Sequence, residues 1–283
     1  MHGIPYTKKE IREIERYYQQ GESTRSIANK LGRYHSGVIW NLNKLSIKRR
    51  NRSEAAKLGV IKGRIKIFKH SFPESSKEMS LEKAYILGIL CGDGCISYNK
   101  DKRRYQIILS VTNKEFFNKF RECLYKVYKI KPTNEYRISK IKEWNDQYCA
   151  RLCSKSVCED LLNYSNFYTK SWIVPNAIKE SDLYIKSSFI KGFSDSEGNV
   201  DKDAKRISLT SININGLKEI GKLLKEFNIK YTILRRINKG NRFPAYNLRI
   251  QDKKSMRIFY KDINFIIKYK KENLKEIINS YKS

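Results

Sequence analysis

Two apolar stretches that repeat one another constrain this chain more than any other feature. Residues 84–96 read Ala-Tyr-Ile-Leu-Gly-Ile-Leu-Cys-Gly-Asp-Gly-Cys-Ile, and residues 189–200 read Phe-Ile-Lys-Gly-Phe-Ser-Asp-Ser-Glu-Gly-Asn-Val. Aligned on their last glycines, Gly94 and Gly198, they set Gly88 over Gly192, Gly92 over Ser196 and Asp93 over Glu197. The segments downstream of the two stretches also correspond. Alternating apolar residues (Ile107, Leu109, Val111 after the first; Ile207, Leu209 after the second) predict strands. These lead into helical patterns with Phe116, Phe117, Phe120 and Leu124, or with Leu217, Ile220, Leu224 and Phe227. Phe120 lies as far beyond Asp93 as Leu224 lies beyond Glu197. A chain built this way is expected to fold as two similar halves of about 100 residues each.

Each stretch reads as an apolar helix with small side chains at i and i+4, Gly88 and Gly92 in one, Gly192 and Ser196 in the other. Such faces let two helix backbones come close, so the helices are expected to pack on each other. Their carboxyl ends then emerge together. Each delivers one carboxylate, Asp93 or Glu197, to the same spot, just before a glycine placed to turn the chain away. Two carboxylates at the negative ends of two helix dipoles are costly, and uncompensated, one of them stays protonated. A divalent cation removes the conflict, because carboxylates and carbonyls freed at helix ends are the hard oxygen ligands that Mg²⁺ takes while keeping waters. The surrounding charge narrows the substrate: 59 Lys and Arg against 29 Asp and Glu give a net +30, which calls for a polyanion. A hydrated cation between two acids on a basic surface fits phosphodiester hydrolysis, in which the cation activates water and steadies the leaving oxygen.

Both stretches resemble the LAGLIDADG motif of the homing endonucleases in its single-chain, two-motif form. Ile86-Leu-Gly-Ile-Leu-Cys-Gly-Asp-Gly94 and Ile190-Lys-Gly-Phe-Ser-Asp-Ser-Glu-Gly198 match its glycines and its acid. The resemblance covers residues 80–283, and Ser171-Trp-Ile-Val-Pro175 is similar to a lead-in that the family often places before its second motif helix. It implies an α+β fold, a pseudo-two-fold pair of αββαββα repeats whose sheets form a saddle over double-stranded DNA. It also implies a site-specific, staggered double-strand cut across the minor groove. Mg²⁺, or Mn²⁺ in its place, would be bound by Asp93 and Glu197, assisted by the carbonyls of Gly92 and Ser196. The family often carries a Lys or Gln near the start of the helix after the second strand. Here the neighbourhoods read Val111-Thr-Asn-Lys114 and Ser211-Ile-Asn213, with Lys114 the nearest candidate. Asp195 is expected to buttress the helix junction rather than react. The single-chain form implies a monomer.

The N-terminal part reads differently. Thr7-Lys-Lys-Glu10 forms a capping box, followed by Ile11, Ile14 and Tyr18 on one face and Gly21 as a stop. Ser23 begins a second helix with Ile27, Ala28 and Leu31 inward and Gly32 at its end. A third spans about 34–45 with Val38, Leu42 and Leu45 as its stripe. The spacing of Ala28, Gly32 and Val38 resembles a helix-turn-helix, although Arg33 and Asn41 stand where apolar residues are usual. A recognition helix here presents His35, Ser36, Trp40, Asn43 and Lys44 to a major groove, or else Trp40 packs against the next domain. Residues 44–69 hold ten basic residues and one acid, Glu54, with little apolar period. They are expected to be a linker, or an arm whose Arg49, Arg50 and Arg52 track phosphates or a minor groove. The expected domains are 1–50 (helix-turn-helix), 51–79 (basic linker or arm, with a boundary at Ser71–Ser76), 80–180 and 181–283 (the two repeats).

Six strands are expected at 105–111, 134–139, 147–152, 205–210, 231–237 and 246–251. Their polar alternates Gln106, Arg137, Gln147, Arg151, Arg206, Arg235, Asn247 and Arg249 are of the types that reach bases and phosphates, or are ordinary solvent-facing residues. The run from Tyr269 through Leu274 to Ile277 and Ile278 closes the second repeat as an amphipathic helix. Two rival functions stand beside the nuclease: a transcription regulator on the same scaffold, and a maturase with intron RNA as partner. Paired acids at a costly junction argue against the first. An intein is disfavoured by the Met1-His2 start and the Tyr281-Lys-Ser283 end. The six cysteines contain no C-x-x-C pair and the histidines lie far upstream, so reduced thiols are expected rather than zinc ligands. No stretch approaches the roughly 18 apolar residues of a membrane span, and an intracellular, cytoplasmic, DNA-associated protein is expected.

Overall fold

Capping chemistry sets the first helices of the chain, whose computed structural model describes residues 5–65, 72–141, 145–236 and 244–281. In α1 (Lys8–Gln19) the Thr7 hydroxyl accepts from the Glu10 amide, and the Glu10 carboxylate accepts from the Thr7 amide at 2.8 Å. The Ser23 hydroxyl caps α2 (Thr24–Leu31) by accepting from the Ser26 amide, and Gly32 ends it at φ 59°, a left-handed conformation that favours glycine. With α3 (His35–Lys44), these helices enclose a small core of Ile14, Tyr18, Ile27, Ala28, Val38 and Leu42. Leu45, expected in that stripe, is instead an exposed C-cap.

Both departures from the helix-turn-helix pattern have partners. Arg33 donates to Glu10 at 2.8 and 3.1 Å and stacks on Tyr6, and its bond with that of Thr7 holds the Glu10 carboxyl down at about 2. Asn41 is buried and donates to the Gly37 carbonyl at 2.9 Å.

The linker or arm expected from residue 51 is corrected. Asn51-Arg-Ser-Glu54 is a second capping box that opens α4 (Arg52–Ile61). Arg50, expected to track phosphates, lies over the Tyr18 ring at 4.0 Å and donates to the Glu22 carbonyl, while Lys62 donates to that of Gln20. These bonds tie α4 to the first of two compact units, Met1–Lys69 and His70–Ser283. Because α4 buries none of its own side chains, apolar periodicity could not reveal it. Residues 66–71, the rest of that segment and the first residue of the expected boundary, lie outside the described residues.

The second unit opens with a 3-10 turn, Glu74–Lys77, and then runs α5 (Leu81–Leu90), β1 (Cys95–Asn99), β2 (Arg104–Val111), α6 (Lys114–Tyr128), β3 (Thr133–Arg137), β4 (Gln147–Cys153) and α7 (Lys155–Leu162). After α8 (Asn176–Lys179) the order recurs: α9 (Leu183–Glu197), β5 (Gly198–Asp201), β6 (Arg206–Ser211), α10 (Ile214–Glu226), β7 (Thr232–Arg236), β8 (Ala245–Ile250) and α11 (Lys253–Ile258). A π turn, Phe259–Ile263, precedes α12 (Lys268–Ser280). The sheets have matching antiparallel orders, β1-β2-β4-β3 and β5-β6-β8-β7. The αββαββα repeat is therefore present twice. The short strands β1 and β5, which the αββαββα resemblance implied but no apolar alternation located, add one edge to each sheet.

One apolar core serves both repeats. Ile107, Leu109 and Leu152 of one sheet and Ile207, Leu209, Leu248 and Ile250 of the other face it, leaving each sheet one open face. Inside it Lys83 is fully buried: its ammonium reaches Asp160 at 2.8 Å and the Ser76 carbonyl at 2.7 Å, and the Tyr128 hydroxyl donates to the same carboxylate at 2.6 Å. This pair fixes the entry turn to α5, α6 and α7.

Candidate functional site

The small residues of α5 and α9 face each other across a backbone-to-backbone contact, with the helices parallel. A Cβ added at Gly88 would strike the Phe189 carbonyl oxygen and lie 2.9 Å from the Phe193 amide. One at Gly192 would strike the Tyr85 carbonyl oxygen and lie 3.2 Å from the Ile89 amide. At the start of the pair Ser188 donates to the Leu81 carbonyl at 2.6 Å. At its end a Cβ on Gly92 would lie 2.5 Å from the Ser196 Cβ and 3.1 Å from the Glu197 Cγ. Asp93 and Glu197 thus leave the two helices at one junction. Gly94 and Gly198 do not turn the chain through a left-handed conformation; among the described residues the positive-φ glycines are Gly21, Gly32 and Gly63. What they supply is space: a Cβ at Gly198 would strike the Ser194 carbonyl, and one at Gly94 would lie 3.1 Å from that of Ile89.

A cleft of about 250 Å³ opens at the junction, lined by Asp93, Ser196, Ser110 to Asn113, Gln147, Tyr269 and Lys270 among others. The acids of the junction are strained electrostatically. Burial, then the charge of Asp93, push the Glu197 carboxyl up to about 7 against the pull of Lys270. Burial raises Asp93 as well, again opposed by Lys270. Asp195 takes a different part, accepting from the Tyr85 hydroxyl at 2.8 Å and from the Ile266 and Ile267 amides at 3.0 and 3.4 Å. Burial still pushes it up to about 6. It pins α9 to α5 and to the segment before α12.

Lys270 was not anticipated. It is 4% exposed, and its ammonium donates to the carbonyls of Asp195 at 2.6 Å and Ser194 at 3.4 Å, capping the last turn of α9. Burial lowers its pKa, while Asp195, Asp93 and Glu197 raise it. A signal was available: Lys270, Leu274 and Ile277 recur at i, i+4 and i+7 and are the buried residues of α12. Lys114, the basic candidate near the first repeat, is exposed at the start of α6. Asn213, its neighbour in the second, is buried, capping α10 and donating to the Trp172 carbonyl at 2.6 Å. Among the described residues no three His, Cys, Asp or Glu side chains cluster as metal ligands.

Strand register sorts the remaining candidates. Gln106, Arg151, Gln147 and Arg137 share the open face of the first sheet, and Arg206 and Arg249 that of the second. Arg137 is paired with Glu135 at 3.0 Å and Arg206 with Asp201 at 2.9 Å. Two residues are corrected. Arg235 pairs with Tyr246 on the helix side of its sheet, so Arg236 is the arginine on the open face. Asn247 does lie on that face but is only 8% exposed, its side-chain carbonyl accepting from Thr210 at 2.8 Å between neighbouring strands. Ile237 lies outside the described residues.

In the first unit, Ser36, Trp40, Asn43 and Lys44 are exposed on α3. Trp40 is 60% exposed, with the Lys44 ammonium 5.1 Å from its ring. His35 is half-buried, its ring bonded to the Thr24 hydroxyl at 2.7 Å, which withdraws it from the outward set. Arg49 and Arg52 are exposed on either side of the engaged Arg50.

The LAGLIDADG-like domain family matches this chain twice, at residues 80–165 and 185–264. An uncharacterised protein of Methanocaldococcus jannaschii is 31% identical over 272 residues, covering 81% of this chain and 98% of that one. The homing endonuclease I-ApeI of Aeropyrum pernix is 24% identical over 202 residues, covering 69% of this chain and 86% of its own. Among solved structures, I-DmoI in complex with DNA and Mn aligns with a TM-score of 0.49 at 19% identity, over 66% of this chain and 97% of that one.

Proposed function

The chain belongs to the LAGLIDADG family, and from that premise we propose that it is a site-specific endonuclease that cuts both strands of DNA across the minor groove. The reading is carried by the convergence of Asp93 and Glu197 at the end of one glycine-packed helix pair, where burial disfavours both charges and that of Asp93 adds to the cost of ionising Glu197. The chain's similarity to I-ApeI, a homing endonuclease by name, supports the same reaction class.

The donor set suits Mg²⁺, with Mn²⁺ able to replace it. Two carboxylates, Asp93 and Glu197, and the carbonyls of Gly92 and Ser196 are hard oxygen donors, and two side-chain ligands leave room for waters and substrate phosphates. Lys270, held on the carbonyls of α9, offsets the pair only in part, since burial and the Asp93 charge still push Glu197 up to about 7. When bound, the cation would activate water and stabilise the departing oxygen. Asp195 keeps α9 fixed against α5, so both carboxylates hold their places as phosphate approaches. The open faces of the two sheets (80–180 and 181–283) form the DNA saddle, with Gln106, Arg137, Gln147, Arg151, Arg206, Arg236 and Arg249 reaching bases and phosphates. The first unit acts as a helix-turn-helix that lengthens the recognised sequence through Ser36, Trp40, Asn43, Lys44, Arg49 and Arg52. One chain carries both repeats, so the active form is a monomer.

The test is cleavage of a randomised duplex library with Mg²⁺. A discrete double-strand product is expected from the unaltered protein. Asp93→Asn and Glu197→Gln should each abolish it while retaining DNA binding in a mobility-shift assay. Undiminished cutting by both variants would refute the site.

A further inference from the structure

Helix α10 separates its acids from its bases. Leu217, Ile220 and Leu224 are buried in the core that also takes Leu209 and Leu248, so the helix lies behind the second sheet, away from its open face. Its two acids are turned to neighbours elsewhere in the chain. Glu219 accepts from Lys179 at 2.6 Å and from the Val174 amide at 2.7 Å, and Glu226 takes Lys186 at 2.5 Å. Lys218, Lys222 and Lys225 are left outward, exposed and spaced i, i+4 and i+7 as one stripe. At the helix end the stripe meets a hollow of about 770 Å³ lined by Lys225, Lys230, Lys254 and Tyr231, three ammoniums against one lining acid, Asp252. That carboxylate is itself engaged by the Ser255 amide and hydroxyl at 2.8 and 2.9 Å. Among the described residues, none of these five outward lysines forms an ion pair. The matching helix of the first repeat is unlike α10: on α6, Lys126 reaches Glu122 at 2.8 Å and Glu82 at 3.3 Å, and Lys119 reaches Glu122 at 3.2 Å.

We infer that this face is a second DNA site: the α10 stripe and the hollow at its end hold a further duplex segment by its phosphates, whatever its sequence, while the saddle holds the target. The inference goes beyond the endonuclease reading and takes from it only that DNA occupies the open sheet faces. Unopposed cations on one face repel each other, and a polyanion relieves them while shedding its own condensed counterions. The ligand is duplex rather than single-stranded. A lysine ammonium is a point charge on a flexible stem, suited to phosphate and blind to bases, whereas single strands are held on aromatic platforms. The Tyr231 ring of the hollow is packed on α10, where a Cβ at Gly221 would strike it. A chain with DNA on both sides bridges two segments and is handed from one to the other as it searches for a target.

The test is a bridging assay in EDTA with the full-length protein. One duplex is fixed to a bead, and retention of a second, labelled duplex of unrelated sequence is measured against salt, with light scattering to count the chains in the complex. The unaltered protein should retain the second duplex as a single chain. Lys222→Gln/Lys225→Gln should weaken that retention about tenfold at low salt and flatten the slope of log K against log salt by roughly 2. Lys119→Gln/Lys126→Gln, which removes the same net charge from the paired lysines of α6, should leave the slope nearly unchanged. Both double variants should cut a short target duplex with Mg²⁺ at the unaltered rate. Bridging that is undiminished in the α10 variant, that falls equally in both variants, or that needs two chains would overturn the assignment. So would preferential retention of a labelled single-stranded RNA of equal length. A protein that cuts but never bridges would lose this site and keep the endonuclease reading; one that bridges through α10 but never cuts would do the reverse.

Discussion

Adding one methyl group at Gly88 tests the geometry on which the site depends. In Gly88→Ala the new carbon meets the Phe189 carbonyl oxygen and the Phe193 nitrogen, both backbone atoms that no rotamer change can move. The helices must part by about 1 Å, enough to forfeit a quarter to a half of each contact along the seam. Overpacking of this kind costs about 1–3 kcal/mol, occasionally more, and alanine returns up to about 1 kcal/mol through its helix propensity. Because α9 is itself pinned through Asp195, little relaxation is open to it, and a net loss of about 2–3 kcal/mol is expected. For a unit of this size that is a fall in Tm of about 5–10 °C. The displacement also separates Asp93 from Glu197, and a misplacement of about 1 Å costs about a hundredfold in cleavage rate. Circular dichroism melts, and cleavage measured well below the lowered Tm, read the two effects separately. Gly192→Ala should behave alike, and the double variant should lose less than the sum, because the seam opens only once. A Gly88→Ala protein that melts within about 2 °C of the unaltered one and cuts at its rate would refute the close packing of α5 on α9.

Three further outcomes are expected. Glu197 has a folded pKa of about 7, above its ordinary value of 4.5, so the unfolded chain releases its proton first and metal-free stability falls as pH rises between those values. In EDTA, Tm of the unaltered protein should therefore drop relative to Glu197→Gln between pH 5 and 8, and Mg²⁺ should narrow the gap; parallel curves would count against the acid pair. Asp160→Ala strands the buried Lys83 ammonium and should cost about 3–5 kcal/mol in urea unfolding. Lys44→Gln and Arg49→Gln should each flatten the slope of log K against log salt for DNA binding by roughly 1, since each removes one phosphate contact; unchanged slopes would mean that the first unit does not touch DNA.

The elements easiest to read in the sequence were those fixed by local chemistry. The Thr7–Glu10 box, the Ser23 cap and Gly32 placed α1 and α2 to within a residue, and the repeated small-residue spacing placed the motif helices and their acids. What escaped depended on long-range choices. Helix α4 makes its contacts through Arg50 and Lys62 rather than through an apolar stripe, so only its capping box announced it. Arg235 and Arg236 are both exposed at the end of β7, and pairing with β8 alone decides which one faces outward. Asn247 is covered by neighbouring strands, which no alternation pattern records. Lys270 sits among Lys268, Lys271 and Lys275, and only its phase with Leu274 and Ile277 distinguishes it from them.

The props beneath Asp195 have a consequence for biosynthesis. A ribosome makes both acids by residue 197, yet Ile266, Ile267 and Lys270 emerge about 70 residues later, several seconds at ordinary elongation speed. Until then the Asp195 carbonyl near the end of α9 lacks its Lys270 donor, and a nascent chain with every motif residue in place still lacks the scaffold that steadies them. The acid pair of the proposed nuclease is thereby braced only by a late step of the chain's own translation.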